Sequence, residues 1–99
     1  ESSIYHSVER VLEEDLADVY FQLPKSEQAV FKKKGEETAS AISRLLASAK
    51  VRIKEIFKLI LGWLSLIPHV DKYFLEQEAK IKTDKLMAIR DKKINQELK

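Results

Sequence analysis

Apolar side chains recur at Ala39, Leu46, Ile53, Ile60 and Ile67, and the first four are followed three residues later by Ile42, Ala49, Ile56 and Trp63. Alternating steps of three and four, kept up over four heptads, describe one face of an α-helix. No Pro or Gly interrupts this stripe before Gly62, so the spacing predicts a helix that runs unbroken to Pro68. Upstream, Pro24 and Ser26 suit a helix start, and Ala29, Val30 and Phe31 add apolar contacts. Two readings compete at Lys34-Gly35-Glu36: a helix end followed by a new first turn, or a small residue where another helix approaches closely. The pattern favours one long helix over residues 25–67, bent at Gly35 if anywhere.

Two further stripes flank this one. Ile4, Val8, Val11, Leu12, Leu16, Val19, Tyr20 and Leu23 share a helical face, with Ser2 or Ser3 as a cap and Leu23-Pro24 as the stop. They predict a helix over about 3–22. After the Pro68-His69-Val70 turn, Asp71 can cap a third helix over 71–97. It begins with Tyr73, Phe74 and Leu75, and thins out through Ala79, Ile81, Leu86, Met87 and Ile89. Residues 90–99 carry little apolar surface and read as a tail that frays. Glu76 with Lys80, and Glu78 with Lys82, stand four apart, a spacing that supports an exposed helix by about 0.2–0.5 kcal/mol per pair.

Short turns make consecutive helices antiparallel neighbours. The expected fold is therefore all-α, a single domain over 1–99. It takes the form of an elongated antiparallel three-helix bundle whose central helix is roughly 60 Å long at forty residues. The first helix would pack on residues 29–48, and residues 79–89 on 49–60. Composition agrees: two Gly, two Pro, 34% charged residues and no stretch of polar–apolar alternation leave no room for strands.

Charge is uneven along the chain. Residues 1–22 carry a net −5 and residues 23–58 a net +5, within an overall +2. Complementarity between an acidic first helix and a basic second segment explains this most simply, with a face for anionic lipid or nucleic acid as the sharper alternative. No cysteine is present, so disulfides and thiolate chemistry are excluded. The first ten residues are polar and acidic, unlike a secretory signal. A cytoplasmic chain is the expectation, trimmed or processed because it begins at Glu1.

Catalytic constellations are missing. His6 and His69 lack the spacings that build helical metal sites, and His69 after Pro68 reads as a turn residue. The paired glutamates fit solvated helix surfaces, two isolated glycines make no phosphate loop, and no cofactor is implied. The expectation is a non-enzymatic protein. Residues 31–39, 63–68 and 73–79 (FKKKGEETA, WLSLIP and YFLEQEA) resemble segments of short uncharacterised bacterial helical proteins. That likeness spans about 23–82 and implies a bacterial source but no activity.

Contact is what remains. Residues 53–67 are apolar on nearly every side, leaving one polar strip of Arg52, Glu55, Lys58, Gly62 and Ser65. The predicted role is a scaffold or adaptor that binds itself or another protein through Ile53, Ile56, Phe57, Ile60, Trp63, Leu64 and Ile67, with Gly62 and Ser65 allowing close approach. The alternative is a peripheral membrane protein, with Lys50, Arg52, Lys54 and Lys58 on anionic headgroups and Trp63 at the interface. Nucleic-acid binding through Lys32, Lys33 and Lys34 is the weakest reading, since three successive lysines on a helix point three ways.

Overall fold

Helices α1 (Ser2–Glu13), α2 (Ala17–Gln22), α3 (Lys25–Ala47), α4 (Ile53–Leu64) and α5 (Lys72–Leu98) account for all regular structure among the described residues. The computed structural model describes residues 2–98, and side chains from Ile4 to Lys92. The serine cap expected at residues 2–3, and most of the tail at 90–99, lie outside the described side chains. The all-α expectation holds, but two of its three helices are broken.

The first break follows α1. Its predicted apolar face is real, because Ile4, Val8, Val11, Leu12, Leu16 and Leu23 are all buried. At Asp15, however, the backbone enters the left-handed region (φ 62), which a short polar side chain tolerates better than most, and the chain turns into α2. Leu23 and Pro24 then adopt extended ψ values of 146 and 151, ending α2 as the proline predicts.

The second break corrects the long central helix. Gly35 lies within continuous α3, and the helix ends instead at Ala47, with residues 48–52 outside any helix before α4 starts at Ile53. Neither Pro nor Gly marks this junction. Polar groups do. The Ser48 hydroxyl donates to the Leu45 carbonyl at 2.7 Å, and Arg90 of α5 donates through Nε to the Leu46 carbonyl at 3.2 Å and through Nη2 to the Ser48 carbonyl at 3.4 Å. Carbonyls left open by a helix end thus receive donors from elsewhere. His69, also left-handed (φ 62), makes the expected turn between α4 and α5.

Breaking the spine changes the topology. The packed pairs are α1 with α3, α3 with α4, α4 with α5 and α5 with α1, so four helices close a ring in place of the expected three-helix bundle. The longest dimension is 47 Å, shorter than the unbroken spine alone would be. The heptad stripe survives on both sides of the break, with Ala39, Ile42, Leu46, Ile56, Ile60, Trp63 and Ile67 all buried. Ala49 and Ile53, at the junction, are exposed.

Trp63 ties α4 to α3. Its ring stacks on Phe31 with centroids 4.7 Å apart, and its Nε1–H donates to the Phe31 carbonyl at 3.0 Å. That carbonyl lies one turn before Gly35. A Cβ at residue 35 would stand 3.0 Å from Trp63 Cε2, Cζ2 and Nε1, so glycine is what lets the indole reach the α3 backbone. Of the two sequence readings of Gly35, close approach is the one realised.

Candidate interaction surface

Helix α4 divides the residues expected to make contacts. Ile56, Ile60, Trp63, Leu64 and Ile67 belong to the chain's own core and are occupied by α3 and α5. Ile53, 52% exposed, is on the surface, and Phe57, one turn on, is half-buried. Gly62 faces open space, where an added Cβ would meet nothing within 4 Å; it mediates no close approach within the chain. Ser65 is exposed and returns its hydroxyl to the Leu61 carbonyl at 2.6 Å. Lys50, Arg52, Lys54 and Lys58 are all exposed, either at the α3–α4 junction or on α4.

Exposed apolar side chains also stand on α2 and α3 (Phe21 and Val30, 73% and 61% exposed), and α5 supplies a further set. Its inner row is Leu75, Ala79, Lys82 and Leu86, at steps of four, three and four. Directly beside that row run Phe74 and Ile81, 45% and 46% exposed, with Gln77 between them. Phe57, Glu76, Gln77, Lys80 and Ile81 line a shallow groove between α4 and α5. Tyr73, 65% exposed, stands one turn before Gln77. The exposure of Tyr73 and Phe74 is not legible in the sequence, which offers three consecutive apolar positions at 73–75; only the tertiary fold selects Leu75 to turn inward.

The inner row holds a cation. Lys82 is 2% exposed, and its ammonium donates to the Val11 carbonyl at 3.2 Å and the Glu14 carbonyl at 2.8 Å. The Val11 carbonyl, which also accepts the Glu14 N–H at 3.3 Å, is in the last turn of α1, and the Glu14 carbonyl lies just past it, where a positive charge also meets the negative end of the helix dipole. Burial pushes the ammonium below its ordinary pKa, and the charges of Glu78, Glu14 and Asp15 oppose that shift. Glu78 lies 3.8 Å away, so this pair is not the exposed one that the spacing predicts. One turn outward, Lys85 bonds the Glu14 carboxylate; this hydrogen bond holds Glu14 below the usual carboxylate range and raises Lys85. Glu76 pairs with Lys72 at 4.0 Å, and Lys80 with Asp84 at 2.9 Å, in place of each other.

Among the described residues no three His, Asp or Glu side chains stand close enough to hold a metal ion, and no helix is long and apolar enough to cross a membrane. No protein-family model, curated protein or solved structure matches the chain.

Proposed function

We propose that the protein is a non-enzymatic helical scaffold that self-associates through the outer α4–α5 groove. The observation that carries this reading is the pair Phe74 and Ile81, exposed on α5, with Ile81 and Phe57 lining the α4–α5 groove. Side chains of this size, aligned on one face, gain about 25 cal/mol per Å² when a partner removes them from water. A second copy fits the pattern of charge. Antiparallel pairing of two α5 helices about an axis near Gln77 sets Phe74 beside Ile81 of the other copy, and Glu76 beside its Lys80. Such an interface is isologous and closes as a dimer. The local ion pairs of Glu76 and Lys80 are solvent-exposed and cost little to exchange.

Light scattering after size exclusion should give a dimer that dissociates on dilution, and Phe74→Ser with Ile81→Ser should give a monomer with an unchanged helical spectrum. A strict monomer up to roughly 100 μM, a concentration at which even weak micromolar association would register, would remove self-association.

A second reading draws support from the exposure of Lys50, Arg52, Lys54 and Lys58 beside Ile53: peripheral binding to an anionic membrane. It expects salt-sensitive cosedimentation with anionic vesicles that Lys54→Glu with Lys58→Glu abolishes. Trp63, buried against Phe31, is not the probe for it.

A further inference from the structure

The opposite side of the molecule carries a cleft of about 380 Å³ between α1, α2, α3 and the end of α4. That volume is within the range of small-molecule sites, which run from about 300 to 1,000 Å³. Its walls include Tyr20, Phe31 and Trp63, and its acidic groups are Glu9 and Glu13 on α1 and Glu36 on α3. Stacking and the indole hydrogen bond fix the Phe31–Trp63 pair, while the half-buried Tyr20 ring lies 6.4 Å from Phe31. The aromatic wall is thus held in place before any ligand arrives.

The charge of this cleft is not balanced from within. Lys32 is the one cation lining it, against three carboxylates. Among the described residues, α1 and the residues just after it make a single ion pair to another helix, Glu14 with Lys85, and none with Lys32, Lys33 or Lys34. The expected neutralisation of the acidic first helix by the basic segment of α3 therefore takes no paired form. Among the described residues Glu13 and Glu36 have no cationic partner within 4.0 Å, and Glu9 has His6 alone, at 3.5 Å, which is charged only when protonated. Convergence of the acids is felt nearby: the Tyr5 phenol is raised by burial first and then by Glu9, Glu36 and Glu13.

We infer that this cleft binds a small organic cation, a quaternary or protonated amine on an apolar body. The apolar part is taken up by Leu12, Leu16 and the aromatic wall, and the positive group by the carboxylates at the rim. The half-buried Tyr20 is the aromatic face open to such a cation, since Phe31 and Trp63 are each 4% exposed, and an aromatic face attracts quaternary ammonium groups in particular. A bare metal ion is not the match, because it needs several oxygen ligands converging at short range, and the acids here ring an apolar space. The inference is independent of self-association, which uses the outer groove of α4 and α5.

Titration of benzyltrimethylammonium into the full chain tests it, followed by the emission of the single Trp63 and by backbone amide shifts. The expected result is saturable binding with shifts centred on α1, α3 and Trp63. The uncharged isostere, with carbon replacing the quaternary nitrogen, should bind at least ~10-fold more weakly, and Glu13→Gln with Glu36→Gln should weaken the cation by at least ~5-fold while Glu27→Gln, exposed on α3 outside the cleft, leaves its affinity unchanged. Equal binding of the isostere, shifts confined to the α4–α5 groove, or no saturable change up to roughly 10 mM would each overturn it.

Discussion

Ile81 and Lys82 are neighbours in sequence and occupy opposite faces of the α4–α5 pair, each where the other's chemistry would be expected. Ile81 is 46% exposed on the outer face, and Lys82 is 2% exposed on the inner one. The inner face is fixed by what it must cover: Leu75, Ala79 and Leu86 pack against the other helices, and the residue between them in helical register follows them inward. Lysine is tolerable there because its long stem is apolar and the end of α1 supplies two carbonyls for its ammonium. Ile53, Phe74 and Ile81 stay exposed on the outer face, where the proposed self-association would cover them. The inner face therefore bears on stability, and the outer face on the proposed association.

Substitutions should separate the two faces. The largest expected effect is on the inner side, where Trp63→Ala should cost about 3–5 kcal/mol by removing a buried aromatic residue, whereas Ile53→Ser on the outer side should stay within about 0.5 kcal/mol. Urea denaturation of the two variants measures this directly; similar losses would mean the faces are not distinct. Lys82→Met comes next. It keeps the stem but takes the ammonium donor from the Glu14 carbonyl and one of two donors from the Val11 carbonyl, for an expected net loss of about 1–3 kcal/mol, reduced by relief of a desolvated charge. A gain in stability would show that apolar packing outweighs the cap.

The glycines provide a test of sign. Gly35→Ala should destabilise by about 1–2 kcal/mol, because pushing the Trp63 indole away outweighs the better helix propensity. Gly62→Ala, opening on nothing, should stabilise by about 0.5–1 kcal/mol. Melting temperatures that move in the same direction would contradict the close approach at residue 35. The smallest effect concerns acid. Glu14 titrates below its ordinary value of 4.5, chiefly through the hydrogen bond from Lys85, so the unfolded chain takes up that proton first as the pH drops. The pair's contribution is complete above about pH 4.5 and fades as pH falls through the lower folded value, so Glu14→Gln should flatten the acid side of the stability profile slightly.

Helical class, the buried face of the first segment, the stop at Pro24 and the turn at His69 were all legible in the sequence. Each depends on residues close together in the chain: a three-four spacing, a proline, a turn dipeptide. Most of the residues expected to make contacts, from Ile56 to Ile67, are apolar as read but are spent inside the chain. Periodicity says that a face must be covered; it does not say by what.

The sequence by itself determined that this protein is all helix and which side chains need burial, because backbone hydrogen bonding and helical period are local. Only the tertiary structure decided where the long stripe breaks, since Ser48 and Arg90, forty-two residues apart, end α3 together. It also decided that Gly35 serves Trp63, that Lys82 closes α1, and that the acids of α1 share a cleft with Lys32 of α3 without pairing to it. Each of these depends on a donor, a ring or a charge brought from a distant helix, and no local spacing encodes which one arrives.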